Sequence, residues 1–496
     1  MQLTTILTIA EVAYVIVLSG WILLEKRSPV ATVAWILMLA LLPLFGFAFF
    51  YFFGPRFLER KRERHKRARN AVRTRMQQGA AVVPDHLAAT RQFVQLVYEA
   101  GGDPPSTAEQ VTLLGTSVEC YAAINDAIDA ARDHVHVTFY ICEPGEAGNV
   151  FMAKLVAAAA RGVEVRLLMD AVGSSRATSK WLAPLKRAGG QVAFFNRVGF
   201  RRFRSPINFR NHRKIVVCDG LIGFTGGFNV CDDYVGAVRI TGAVQKELQS
   251  DSKTNQRRPP WRDTHVMLRG NVVRWLQLSF FDDWLFTVGE APEGVRYLPE
   301  QNELNNPLQE LPAGTSLLQV VPGGPDQRKE PIRNVYFAAI CRASSRVWIT
   351  AAYFVPDEPT LTALKVASLR GVDVRVLVPR LGDSRVVSSA TRSYYEELTE
   401  CGVKLYEYLP TMHHAKTMIV DDDMAIVGSA NFDARSFRLN FELMVVLYGP
   451  EHTAELARMY EVDLQDSERV TGREPKNLKP WERLLEATAR ALSPIL

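Results

Sequence analysis

The sequence predicts an α/β protein: two pseudo-symmetric halves, each a mixed sheet flanked by helices, preceded by a two-helix transmembrane hairpin. Three observations predict it. One motif of polar residues is written twice, the order strand, helix, strand recurs ahead of each copy, and two long apolar runs open the chain.

The first copy of the motif is His212-Arg213-Lys214-Ile215-Val216-Val217-Cys218-Asp219 followed by Gly226-Gly227-Phe228-Asn229. The second is His414-Ala415-Lys416-Thr417-Met418-Ile419-Val420-Asp421 followed by Gly428-Ser429-Ala430-Asn431. Both read His-x-Lys-x4-Asp-x6-Gly-Gly/Ser-x-Asn without a gap. At roughly 5% usage per residue type, five fixed positions coincide about once in several million starts. A chain of 496 residues is far too short for two such accidents.

Around the motifs the chain repeats its architecture. His134 to Tyr140 and Arg346 to Ala352 are strand-like, and each leads through an acidic, proline-containing turn (Glu143-Pro144; Pro356-Asp357-Glu358-Pro359) into a helical pattern. The helices stop at Gly162 and Gly371, each followed by an alternating strand. From stop glycine to motif histidine the first copy is longer, with an insertion near Arg197-Val198-Gly199-Phe200-Arg201-Arg202-Phe203-Arg204. Its alternating arginine and phenylalanine suit either lipid headgroups or a solvated loop.

Leu3 to Leu24 and Val30 to Phe53 are mostly apolar, and helices of that length reach roughly 30 Å, about a bilayer core. The first run lacks a basic leader and a small-x-small cleavage site, so it is expected to stay in the mature protein. Glu11 interrupts it, with a protonated, snorkelling or bundle-paired carboxyl as the expected state, and Pro43 could kink the second run or make it re-entrant. Pro55 to Arg75 carries ten Lys or Arg against Glu59 and Glu63, whereas the connector at 25–29 carries two cations. The positive-inside bias puts the richer side, and the body that follows it, in the cytoplasm of a multi-pass membrane protein. The expected organisation is a hairpin at 1–54, a basic helical linker at 55–115, halves at 116–300 and 331–496, and a linker rich in Pro, Gly and Asn at 301–330.

The net charge of +6 is thus concentrated beside the hairpin. The body is slightly acidic overall, which argues against a nucleic-acid partner and for anionic membrane lipid. Six cysteines show no close spacing for zinc or a redox pair.

The candidate catalytic residues are His212, Lys214, Asp219, His414, Lys416 and Asp421. Two residues apart in a strand-like run, each histidine and lysine share a face. The adjacent glycines, Gly227 in one copy and Ser429 in the other, allow close approach to a phosphate, and Asn229 or Asn431 adds amide donors. A phosphodiester exchange needs a nucleophile and a proton donor for the leaving alcohol, so two histidines facing one phosphorus make one complete site. The lysines and asparagines would stabilise charge on the phosphoryl oxygens, with neither metal nor cofactor expected. Each histidine also needs a carboxylate to hold its tautomer: Glu442 is the candidate for His414 within the second half, and Asp263 its counterpart for His212 within the first. Asp219 and Asp421 lie at strand ends on the opposite parity, which reads as structural hydrogen bonding rather than proton transfer. The remaining histidines, His413 included, are expected to be structural.

These residues resemble the paired signature of the phospholipase D superfamily over about residues 116 to 495. Arg27-Ser28-Pro29, Ala34-Trp35-Ile36-Leu37, Leu42-Pro43, Gly46 and Phe53-Gly54 resemble the N-terminal anchor of bacterial cardiolipin synthases; Val320 to Asp326 and Tyr353 to Glu358 extend the resemblance. It implies metal-free transfer of a phosphatidyl group from one phosphatidylglycerol to another, giving cardiolipin and glycerol through a phosphatidyl-histidine. It also implies His212 as nucleophile and His414 as acid, then base. Attack by water instead would make a phospholipase D, and relatives with the same residues cut nucleic acid. A homodimer through the hairpin is a further expectation.

Overall fold

The structure, a computed structural model, describes residues 3–24, 29–41, 88–196, 209–236, 259–290, 297, 314–471, 479–491 and 493. Two compact units are present, the N-terminal helices and the body. In the first, α1 (Leu3–Leu24) and α2 (Pro29–Leu41) pack on each other through Leu18, Ile22 and Leu39. The described side chains of α1 begin at Val12, and α2 covers 13 residues. Among the described residues no helix is long and apolar enough to cross a membrane. The expected second span beyond Leu41, with Pro43, the side chain of Glu11, the basic run at 55–75 and the arginine-phenylalanine insertion at 197–204 lie outside the described residues.

In the body, α3 (Ala88–Ala100) and the strands β1 (Ser106–Ala108) and β2 (Gln110–Leu114) lead into the first half. That half comprises α4 (Ser117–Ala130), β3 (His134–Phe139), α5 (Glu146–Ala160), β4 (Glu164–Asp170), α6 (Ser179–Arg187), β5 (Gln191–Phe195), β6 (Ile215–Cys218), β7 (Ile222–Gly226), β8 (His265–Arg269) and α7 (Val273–Val288). Its seven-stranded sheet has the order β2-β8-β7-β6-β3-β4-β5. The pairs β3–β4 and β4–β5 are parallel and the rest antiparallel.

The second half repeats the plan with β9 (Ser316–Gly323), α8 (Pro331–Arg342), β10 (Arg346–Ala351), β11 (Phe354–Val355), α9 (Glu358–Leu369), β12 (Asp373–Pro379), α10 (Arg385–Arg392), α11 (Tyr395–Glu400), β13 (Lys404–Tyr408), β14 (Lys416–Val420) and β15 (Met424–Gly428). It continues through β16 (Phe432–Asp433), α12 (Ala434–Arg438), β17 (Glu442–Tyr448), α13 (Pro450–Gln465), β18 (Ser467–Arg469) and α14 (Pro480–Ala491). Its sheet has the order β1-β9-β17-β15-β14-β10-β12-β13-β18. Strand, helix, strand in each half is the βαβ unit the sequence predicts, and Gly162 and Gly371 end α5 and α9 with φ of +89° and +91°, conformations a side chain resists.

Two boundaries differ from expectation. Residues 316–323, expected as linker, form β9, a buried strand paired with β17. Residues 88–108, expected to be a juxtamembrane linker, belong to the second half: Phe93, Val94 and Val97 of α3 enter its core, and β1 is its edge strand. The physical reason is burial. Leu317, Leu318, Val320 and Val321 are fully covered, and this outweighs the turn-forming Pro322-Gly323 that dominates the local composition. Strands β7 and β8 of the first sheet pack against β15 and β17 of the second, which makes the junction between the halves.

Candidate active site

Each motif histidine sits just ahead of its strand and is held by backbone bonds from the opposite half. His212 N–H donates to Phe441 O (2.8 Å) and Phe441 N–H to Arg210 O (2.8 Å); His414 N–H donates to Arg262 O (2.6 Å) and Arg262 N–H to Met412 O (3.0 Å). These are two short parallel bridges, Asn211 with Phe441 and Arg262 with His413, related by the internal symmetry. The residue after Phe441 is Glu442, and the residue after Arg262 is Asp263. Each bridge therefore delivers a carboxylate to the other half's imidazole.

The result is a crossed pairing. His212 Nδ1 meets Glu442 Oε2 at 2.9 Å, and His414 Nδ1 meets Asp263 Oδ2 at 2.7 Å. Asp263 and Glu442 were expected to serve the histidine of their own half; the structure exchanges them. The reason is strand order: β17 and the segment before β8 lie at the junction, beside the opposite motif. With both Nδ1 atoms engaged, the Nε2 of each ring has no hydrogen-bond partner among the described residues.

The lysines curl back onto the histidines. Lys214 Nζ donates to His212 O (2.7 Å), and Lys416 Nζ lies on His414 O and 2.8 Å from His414 Nδ1. Both ammonium groups are buried. Burial pushes Lys214 down to about 7, aided by the charge of Lys416, and pushes Lys416 down to about 8. Burial lowers both histidines as well, His414 much the further, with Lys416, Lys214 and His212 all repelling its proton. For Glu442 burial works upward, but His212, Lys214 and the Ser429 hydroxyl outweigh it and hold the carboxyl below its usual range. Asp263 is raised by its burial. Two ammonium groups and two imidazoles, depressed by burial and, for both histidines and Lys214, by neighbouring cations as well, are a site prepared for an anion.

The halves are not equivalent in detail. Ser429 Oγ donates to Glu442 Oε2 (2.6 Å), so this hydroxyl supports the carboxylate that grips His212. In the first half Gly227 stands at the matching position, and a Cβ there would fall 1.9 Å from Asp263 Oδ1. The missing hydroxyl is supplied from elsewhere: Tyr234 OH lies 2.9 Å from His414 Nδ1, 3.3 Å from Asp263 Oδ2 and 3.4 Å from Asn229 Nδ2. Tyr234 is fully buried and was not singled out by the sequence reading. The available signal was its place five residues beyond Asn229, in register with Ser436 five beyond Asn431.

Asn229 Oδ1 accepts from Ile141 N–H (3.1 Å), whereas the buried Asn431 Oδ1 has no partner among the described residues. Aromatic rings flank both histidines, Tyr140 at 4.8 Å from His212 and Trp261 at 5.6 Å from His414. Asp219 and Asp421 stand apart from this group. Asp219 accepts from the backbone N–H groups of Arg132, Asp133 and His134, and Asp421 from those of Ser344, Ser345 and Arg346. Both adopt left-handed backbone, φ 54° and 48°, at the turn after the motif strand. They bind the end of the motif strand to the start of its antiparallel neighbour, β3 or β10. His413 pairs with Asp463 (3.0 Å), and His134 and His136 are bridged by Gln277, all as structural groups. Arg213 ties the halves together through Asp283 Oδ1 (2.8 Å), Glu442 O (3.0 Å) and Gly323 O (3.0 Å). Among the described residues no cluster of His, Cys, Asp and Glu is placed to hold a metal ion.

Residues 124–237 and 336–464 match a family described as cardiolipin synthase, PLD-like domain, and residues 12–55 match a phospholipase D-nuclease N-terminal family. A cardiolipin synthase of Geobacillus thermodenitrificans is 37% identical over 95% of this chain and 90% of its own. The chain belongs to the cardiolipin synthase family. A second family member, from Alkalihalophilus pseudofirmus, is 36% identical over 96% of this chain and 91% of its own. A phosphatidylserine synthase of Haemophilus influenzae, 16% identical, superposes with a TM-score of 0.58 over 82% of this chain and 100% of its own, which shows a shared fold.

Proposed function

We propose that this chain is a phosphatidyltransferase that joins two phosphatidylglycerol molecules into cardiolipin and releases glycerol. The observation that carries the chemistry is the crossed pair of imidazole–carboxylate dyads, which engages both Nδ1 atoms and leaves each Nε2 without a partner among the described residues, with two buried ammonium groups held against the same two histidines. His212 Nε2 attacks phosphorus, the bond from phosphorus to the glycerol headgroup oxygen breaks, and His414 gives that oxygen its proton. His414 then takes the proton from a hydroxyl of the second phosphatidylglycerol, whose oxygen attacks phosphorus and displaces His212. Burial makes protonated His414 a strong acid toward the leaving oxygen; the charge of the bound phosphate, facing Lys214 and Lys416, offsets the mutual repulsion that otherwise strips its proton. Asn229 and Asn431 are assigned to the phosphoryl oxygens, and Glu442 and Asp263 to orienting the histidines. Tyr234 is a positioning residue on His414.

The acceptor follows from family membership rather than from the dyads. The N-terminal helices are proposed to anchor the chain in the inner membrane as a multi-pass hairpin with the body in the cytoplasm, which keeps donor and acceptor lipid at high local concentration. The test is to incubate the detergent-solubilised protein with phosphatidylglycerol alone. Cardiolipin and glycerol are expected; phosphatidic acid as the main product would overturn the transferase reading while leaving the histidine chemistry intact.

A further inference from the structure

The C-terminal helix α14 is inside out. Its inner side is built from polar contacts: Arg490 Nη2 donates to Glu397 (2.7 Å), Arg490 Nη1 to Ser393 O (3.2 Å), its guanidinium lies 4.4 Å from the Tyr394 ring centre, and Ser493 Oγ meets Tyr394 OH (3.1 Å). Ala489 is the residue of this helix that enters the core. The outer side carries Trp481, Leu484 and Leu485, 60%, 69% and 45% exposed, at positions that share one face of a helix. An ordinary surface helix turns its apolar stripe inward, so a docked helix with Trp and Leu outward marks an interaction surface.

The surface extends onto the neighbouring element. α14 packs on α10, whose Val386 is 42% exposed, and Leu381 just before it is 45% exposed. Between them lies Asp383, which accepts from Tyr353 OH (2.7 Å), and Tyr353 O accepts from Phe432 N–H (3.1 Å) next to Asn431, so this edge adjoins the surroundings of the reaction centre. The exposed charges of α14 beside the apolar face are cationic, with Arg483 on the flank next to Leu484 and Lys479 ahead of the helix, while Glu482 and Glu486 are half-buried toward the inner side; on the α10 edge Arg385 adjoins Val386 and Asp383 is the exposed acid. Tryptophan and leucine bordered by arginine and lysine match the boundary between acyl chains and anionic headgroups.

We propose that the outward face of α14, with the Leu381–Val386 edge, lies on an anionic lipid bilayer and seats the reaction centre at its surface. This rests on the reading that the substrate is a membrane phospholipid. The experiment uses the full chain, with Cys341 and Cys401 changed to serine, reconstituted into phosphatidylglycerol–phosphatidylcholine vesicles. An environment-sensitive fluorophore on Leu484→Cys is expected to be quenched at least about twofold by spin-labelled lipid, and one on Glu451→Cys, an exposed residue of another helix, far less. Leu484→Asn with Leu485→Asn is expected to raise the vesicle KM for phosphatidylglycerol about tenfold with kcat unchanged, and to leave turnover of a short-chain, micelle-free analogue unaltered. No quenching at position 484 in vesicles overturns the proposal; so does energy transfer between copies labelled at 484 without lipid quenching, which assigns the face to self-association. Quenching needs no turnover, so it is read even if phosphatidylglycerol proves not to be the substrate.

Discussion

Glu442→Gln tests the crossed pairing. The carboxylate sits 2.9 Å from His212 Nδ1 and the substitution keeps its size while removing its charge. With charge centres about 4 Å apart and an effective dielectric of about 20, the lost attraction for an imidazolium is about 4 kcal/mol, equivalent to about a thousandfold in rate. Glutamine offers one acceptor oxygen where both carboxylate oxygens accept, from His212 and Ser429 on one and Asn440 on the other, so the tautomer of the ring is less firmly fixed. The assay is the initial rate of cardiolipin formation from phosphatidylglycerol in vesicles, with histidine-selective 15N spectra to report which ring responds. The expected result is a fall in kcat of about three orders of magnitude, little change in KM, and a shifted His212 Nδ1 resonance with His414 undisturbed. The reasoning fails if kcat stays within about tenfold of the parent, or if the His414 ring answers to Glu442→Gln.

The internal asymmetry gives further tests. Gly227→Ser forces a Cβ against Asp263 Oδ1 and is expected to cost about 1–3 kcal/mol of stability by denaturant titration and most of the activity, even though serine is the native residue at the matching position 429. Tyr234→Phe removes a hydroxyl 2.9 Å from His414 Nδ1, which is expected to lower kcat about tenfold or more and to move the limb of the pH–rate profile set by His414, while thermal unfolding changes little. Burial holds Lys214 at about 7 and Lys416 at about 8, below the usual lysine value, so above pH 7 the unfolded chain binds more protons here than the folded one. Their contribution to stability therefore rises with pH through that window and is smallest below it. Since a bound anion restores both charges, the Tm gain from vanadate in scanning calorimetry is expected to be larger at about pH 6.5 than at about pH 9; a gain that grows with pH would contradict this.

Much of the site was legible because the motif is local. His212 and Lys214, or His414 and Lys416, are close in any extended backbone, and the parity that set Asp219 and Asp421 on the other face foretold their role as brackets for β3 and β10. The carboxylates were legible as residues but not as partners. Sequence distance favours Glu442 for His414, whereas the bridges at Phe441 and Arg262 carry each carboxylate across the junction, and no short-range signal encodes that crossing. Tyr234 escaped for a similar reason: its hydroxyl replaces that of Ser429 in space, not at the matching position of the repeat. The misread linker at 316–323 shows composition yielding to burial, since its apolar residues complete the second sheet only once β17 and β1 lie on either side of it.

The central claim is that the two halves share one phosphorus, with the covalent bond on one histidine. The direct measurement is rapid acid-free quenching of the enzyme turning over phosphatidylglycerol labelled at phosphorus, followed by peptide mapping under conditions that preserve phosphoramidates. The account predicts label on the peptide containing His212, with no label in His212→Ala. Label on the His414 peptide would reverse the assigned roles, and full turnover by His212→Ala would contradict the shared site altogether.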